Sequence, residues 1–229
     1  MRKFFYLIEF ILIKLFFFIL IIIGYKNGSN LGDFIGRLFG PIFRSKKLIE
    51  NNLEQSGIVD KKNYNKIISK IYGNYGRILA EYPFLKAFRN NKLNNFIEIE
   101  GLENLNKIKR DKKRAVFVSG HFNNFELMAL QIEKAGIELC TIYRPLNNIF
   151  LNNTMEEIRK EFICKNQIKK GRSGTRQIIE NLKKGRSVAL MIDQRVREGI
   201  KTNFFGKPAT TTTIPAQLVK KYKCELVPI

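Results

Sequence analysis

Apolar positions fall into three textures along the chain. Residues 4–23, FFYLIEFILIKLFFFILIII, form an apolar run broken by charge only at Glu9 and Lys14. About 20 such residues suffice to cross a bilayer, so the run predicts a helix acting as a membrane anchor. A cleaved signal would need a small-residue cleavage site, whereas GYKNGSN follows here. Glu9 and Lys14 are each costly at a bilayer centre, which leaves a tilted, interfacial or protein-packed helix as the alternative to a full span. Residues 28–55 alternate glycine-containing and basic apolar pieces and read as short helices hugging a surface. Over residues 61–82, Ile67, Ile71, Tyr75, Ile78, Leu79 and Tyr82 recur at helical spacing between Lys and Asn. That is an amphipathic packing helix, with lipid contact as the other use of its apolar face.

From residue 96 the pattern changes. FIEIEG, AVFVSG, ELCTIYRP, SVALMID and ELVPI are short strand-like runs, and helical segments lie between them at 124–135, 151–162, 174–184 and 212–222. Alternating strands and helices predict an α/β fold, a mixed β-sheet flanked by helices, preceded by the apolar helix. The expected organisation is an anchor at 1–25, a membrane-proximal helical region at 26–95 and an α/β core at 96–229.

Charge narrows the partners. Lys and Arg number 41 against 20 Asp and Glu, a net charge of +21. Such a balance attracts nucleic acid, an anionic membrane face or an acidic protein. Abundant Asn, Lys and Ile with no Trp points to compositional bias as one source of the excess. Arg2 and Lys3 precede the apolar run, while Lys26, Arg37, Arg44, Lys46 and Lys47 follow it, which places the downstream side in the cytoplasm. Cys140, Cys164 and Cys224 are odd in number and lack any C-x-x-C spacing. They predict neither a disulfide framework nor a zinc site, and a reducing compartment.

In open α/β sheets active sites gather beyond the carboxyl ends of strands. Three such exits carry chemistry here: Ser119-Gly120-His121, Tyr143-Arg144 and Asp193-Gln194. His121 is the only histidine, and a histidine with an ordinary pKa near ~6.5 can serve as a general base at neutral pH. Glu126 lies five positions on. Within one helix the two side chains would not share a face. If His121 sits in a turn and the helix starts near Asn123, Glu126 in its first turn can reach back and orient the ring. The free N–H groups of that helix start would favour an oxyanion. On spacing alone H-x4-E is a weak signal, and a solitary histidine is more often structural.

VSGHFNNFE resembles the H-x4-D/E motif of glycerolipid-type acyltransferases. In order, SGHFNNFE, YRPLNN, IRKEF, GRSGTRQIIENLKKGRSVALMIDQ, TNFFGKPATTTT and ELVPI resemble the lipid A late acyltransferases, closely after residue 100 and loosely before it. The resemblance implies a glycerolipid acyltransferase-like fold and transfer of an acyl chain from acyl carrier protein to a hydroxyl of a phosphorylated, acylated glucosamine disaccharide. It implies His121 as base with Glu126 as its partner. Arg144, Arg159 and Arg172 would contact anions, and Asp193 and Gln194 would shape the pocket. A guanidinium suits phosphate because its fork donates paired hydrogen bonds, and Gly171 and Gly174 give Arg172 a phosphate-friendly setting before a helix. FFG at 204–206 reads as a turn, with contact to the acyl chain as the alternative. Thr210 to Thr213 finish a strand and cap a helix. MIDQRVREG stands where the glycerol-phosphate branch carries an acidic-Gly-Thr motif, which weakens the plain glycerolipid acyltransferase reading. Relatives continue beyond ELVPI, so the core is expected to be incomplete at its C-terminal side.

The expectation is a cytoplasm-facing O-acyltransferase anchored in a bacterial inner membrane. Its partners would be acyl carrier protein, a phosphorylated glycolipid acceptor and anionic membrane lipid, with no nucleic acid, cofactor or metal. The alternatives are an acyltransferase for another glycolipid or glycerolipid, and a non-enzymatic basic membrane protein that binds polyanions through the Lys/Arg tract of 169–186.

Overall fold

The structure, a computed structural model, describes residues 2–194 and 196–229. Its first helix, α1 (Arg2–Ile23), is long and apolar enough to cross a membrane. Two compact units divide the chain. A helical unit comprises Leu12–Phe84 and Lys201–Ala209, and an α/β unit comprises Met1–Ile11, Leu85–Ile200 and Thr210–Ile229.

The helical unit contains α2 (Tyr25–Phe43), α3 (Lys46–Ser56) and α4 (Tyr64–Glu81). Where short pieces were expected, α2 runs unbroken for 19 residues. Gly28, Gly32, Gly36 and Gly40 recur at every fourth position, so they share one face. Glycine costs roughly 1 kcal/mol against alanine in a helix interior, and close packing offsets that loss. A Cβ at Gly32 would lie 2.5 Å from that of Ala80 and 2.7 Å from the Gly76 carbonyl oxygen, and one at Gly36 would collide with the Tyr72 carbonyl. Buried Glu81 accepts a 2.6 Å hydrogen bond from Ser29, and Arg77 donates to the same hydroxyl at 2.9 Å. At the ends of α3, the Ser45 hydroxyl accepts from the Leu48 N–H, and Gly57 stops the helix at φ 64°.

The α/β unit opens with α5 (Leu85–Arg89) and α6 (Leu102–Arg110). There follow β1 (Ala115–Ser119), α7 (Glu126–Lys134), β2 (Leu139–Tyr143), α8 (Ile149–Ile158), β3 (Asn166–Lys169), α9 (Arg172–Lys183) and β4 (Ser187–Met191). The hairpin β5 (Ile200–Phe204) and β6 (Lys207–Thr211) comes next in the chain, its Lys201–Ala209 part belonging to the helical unit, and α10 (Ile214–Tyr222) and β7 (Glu225–Pro228) complete the order. One sheet has the order β3-β2-β4-β1-β7 with every pairing parallel, and the hairpin forms a separate two-stranded sheet. Helical crossovers are what parallel neighbours require, and the helices between strands supply them.

Alternation along the strands divides the core between two faces. Val116, Val118, Val188 and Leu190 cluster with Ile178 and Leu182 of α9 and Leu218 of α10. Phe117 and Leu139 are fully buried, and α7 packs on β2. Arg114, just before β1, donates to the carbonyls of Leu182 and Tyr222 at 3.0 and 2.9 Å and so satisfies the last turns of α9 and α10. Cys140, Cys164 and Cys224 are buried free thiols, and burial pushes the first two up to about 12.

Two strand expectations need correction. FIEIEG is not a strand: a short 3-10 turn (Asn94–Phe96) leads into exposed irregular chain containing Glu98, Ile99 and Glu100. Alternating Ile and Glu matches a half-buried strand, but no neighbouring strand pairs with it among the described residues. Conversely, β3 has the polar sequence NQIK and gives no hydrophobic signal; it forms because it lies at the sheet edge beside β2.

The first turns of α1 belong to the α/β unit. Asn148, buried ahead of α8, accepts from the N–H groups of Phe150 and Leu151. Its amide donates at 2.8 Å to both the Tyr6 carbonyl and the Glu9 carboxylate, while the Phe10 and Phe150 rings lie 6.0 Å apart. The one acid of the apolar helix thus has a protein partner.

Candidate active site

Parallel register brings two of the three predicted strand exits together. Ser119 pairs with Met191 across β1 and β4, so residues two steps beyond each strand end lie side by side. They are His121 and Asp193. The Asp193 carboxylate accepts twice from His121: the backbone N–H reaches Oδ2 at 2.8 Å, and ring Nδ1 lies 2.7 Å from Oδ1. One carboxylate therefore fixes both the turn and the ring. Burial alone would raise the Asp193 pKa; the hydrogen bonds from His121 outweigh it and hold the group below its ordinary value. An ionised carboxylate at Nδ1 selects the tautomer with the proton on Nδ1 and leaves the Nε2 lone pair for chemistry. Gln194 Nε2 lies 3.4 Å from His121 Nε2, and Phe125 meets the imidazole edge-to-face at 4.9 Å between ring centres. The His121 side chain is 30% exposed.

The turn after His121 holds Asn123 at φ 41°, a conformation Asn tolerates better than most residues. The backbone N–H groups of Phe122 and Asn123 make no hydrogen bond among the described residues.

Glu126 is the first residue of α7 and is buried. Its Oε1 accepts from Arg159 Nε at 3.0 Å and Nη2 at 2.9 Å. Arg159 leads one wide turn after α8, closed by the Cys164 N–H donating to the Arg159 carbonyl. Insertions of this kind re-aim side chains and are frequent at functional sites. The guanidinium carbon lies 5.7 Å from the centre of the Tyr143 ring. Tyr143 donates at 2.6 Å to Glu156, which also binds Lys160 at 2.8 Å. The hydrogen bonds from Lys160 and Tyr143 lower the Glu156 carboxyl to about 2, while burial and that carboxylate push the Tyr143 hydroxyl up.

The model of the bacterial lipid A biosynthesis acyltransferases matches residues 1–229. The chain belongs to this family. Two curated members are similar to it: the lipid A biosynthesis palmitoleoyltransferase of Escherichia coli (strain K12) and the lipid A biosynthesis acyltransferase of Shigella flexneri. Each is 26% identical over 169 residues, 72% of this chain and 53% of the relative. The chain spans about half the length of the curated relatives it matches.

For a member of this family, the sequence-predicted residues fall into distinct places. His121, Asp193 and Gln194 come together. Glu126, expected beside His121, binds Arg159, and Asp193 stands at Nδ1. Arg159, expected to contact an anion, directs two nitrogens at Glu126. Arg144 leaves β2 exposed and makes no hydrogen bond or ion pair among the described residues. Arg172 opens α9, and its side chain lies outside the described residues. Tyr143 stands at a predicted strand exit, but sequence reasoning missed its partner Glu156 as a neighbour of the site. It also missed Asn148, although an Asn just before a helix is a legible N-cap signal.

Proposed function

We propose that the chain is an O-acyltransferase of lipid A assembly, moving a fatty acyl group from acyl carrier protein to a hydroxyl of a phosphorylated lipid A precursor. The observation carrying this reading is the Asp193–His121 pair, which leaves Nε2 as a base at the carboxyl edge of a parallel sheet. Nε2 removes the acceptor hydroxyl proton as the oxygen attacks the thioester carbonyl. The Phe122 and Asn123 N–H groups are assigned to the oxyanion. Collapse of the tetrahedral intermediate breaks the C–S bond, and the imidazolium returns its proton to the departing thiolate. Asp193 stabilises the imidazolium without taking its proton. Arg144 is assigned to a phosphate of the acceptor, and Glu126–Arg159 to positioning.

The apolar α1, followed by Lys26, Arg37, Arg44, Lys46 and Lys47, supports a bacterial inner-membrane location with the α/β unit on the cytoplasmic side. The test is mass spectrometry of lipid A after expression in a strain lacking its late acyltransferases. One added acyl chain is expected with the chain as it stands. With His121→Ala the product should fall about 10²- to 10⁴-fold, with membrane association unchanged. Unaltered lipid A in both cases, with the protein membrane-bound, would favour the polyanion-binding alternative.

A further inference from the structure

We propose that the tip of the β5–β6 hairpin is a second membrane contact, which places the Phe204 and Phe205 rings in an anionic lipid surface between Lys201 and Lys207. This rests on the membrane association proposed above and adds a contact that α1 does not supply.

The turn joining β5 to β6 consists of Phe205 and Gly206, at φ 49° and 73°. A two-residue turn with both centres at positive φ favours Asn-Gly or Asp-Gly. A bulky residue at the first position is an outlier on backbone grounds. It is also an outlier on solvation grounds. Phe204 is 61% and Phe205 46% exposed, with the two rings edge-to-face at 4.5 Å. Two costs coincide at one exposed tip, and an outlier of this kind motivates a functional reading. The charge carried by the hairpin itself points to the partner. Lys201 and Lys207 are exposed, and no acidic residue occurs from Ile200 to Thr213. Lysines flanking an apolar tip can extend their amines to anionic headgroups while the stems stay in the boundary region. Pro208 removes a backbone donor from β6, and together with the lysines it discourages addition of a protein strand to this hairpin. Lipid is therefore favoured over an edge-pairing protein.

The chain contains no tryptophan, so Phe204→Trp creates a unique fluorophore at the tip. The full chain carrying F204W is reconstituted with vesicles of phosphatidylethanolamine and phosphatidylglycerol. Its emission is expected to shift to the blue, to be quenched by lipids brominated on the acyl chain, and to resist aqueous acrylamide. Adding Phe205→Asn should reduce bromolipid quenching without lowering the unfolding midpoint, because Asn suits the turn. The proposal is overturned if the reporter stays open to acrylamide while the protein sediments with vesicles, an outcome that leaves the membrane reading intact. A response only to added acyl carrier protein would overturn it in favour of a protein contact. Failure to sediment at all would remove both membrane readings, while acyl transfer is tested separately by the lipid A product.

Discussion

Asp193 and Glu126 each bind a basic side chain beside the carboxyl edge of the same sheet, yet their surroundings differ. The Asp193 and His121 side chains are 37% and 30% exposed, and an imidazole nitrogen can either donate or accept a proton. Glu126 and Arg159 are 10% and 17% exposed, and the guanidinium stays charged. A reversible proton carrier open to solvent suits catalysis. A buried two-pronged pair, braced on Tyr143 and beside the Glu156–Lys160 pair, suits the holding of elements: it ties the start of α7 to the turn after α8. Two carboxylates near one edge can therefore divide chemistry from support.

The comparison breaks most readily at Asp193. Asp193→Asn keeps the shape but removes the charge that selects the Nδ1–H tautomer, and acyl transfer should fall about 10²- to 10⁴-fold. Because both side chains are partly exposed, the unfolding midpoint should move little. Kinetics and thermal unfolding of the same preparation check both halves. Glu126→Ala should show the reverse emphasis. Leaving the Arg159 charge without its partner costs about 3–5 kcal/mol of stability, read by denaturant titration, and a Glu126→Leu/Arg159→Leu double variant should recover part of it. A Glu126→Ala protein of unchanged stability and no activity would move Glu126 into the chemistry.

A smaller effect is expected from Glu156. Its folded pKa is lowered to about 2 from an ordinary 4.5, so its stabilisation is present above that ordinary value and is lost as pH falls towards the folded one. Glu156→Gln should remove this part of the acid transition, worth about 2 kcal/mol after screening at the half-exposed Lys160. Unfolding curves from pH 5 to about pH 2 that superimpose for both proteins would contradict it.

The legible parts of the molecule follow from periodicity. The apolar α1, the amphipathic α4, and β1, β2 and β4 with the helices between them all carry strong patterns, and the strand exits named His121 and Asp193 as site residues. Register was not legible. Nothing in H-x4-E spacing reveals that Ser119 lies opposite Met191, and that pairing is what places Asp193 at His121. The wide turn at Arg159 was equally hidden, because it depends on backbone hydrogen bonds spanning five residues. The repeated glycines of α2 read as interruptions, although Gly32, Gly36 and Gly40 each omit a Cβ that α4 would exclude. FIEIEG carried the alternation of a strand without a neighbour to pair with, and NQIK had a neighbour without the alternation.

The tautomer of His121 tests the central claim most directly. As the only histidine, it gives a single set of imidazole nitrogen resonances when histidine is labelled with nitrogen-15. In the neutral ring the proton is expected on Nδ1, hydrogen-bonded to Asp193, with Nε2 bare, and this preference should weaken in Asp193→Asn. A proton on Nε2 in the unaltered protein, insensitive to Asp193→Asn, would contradict it.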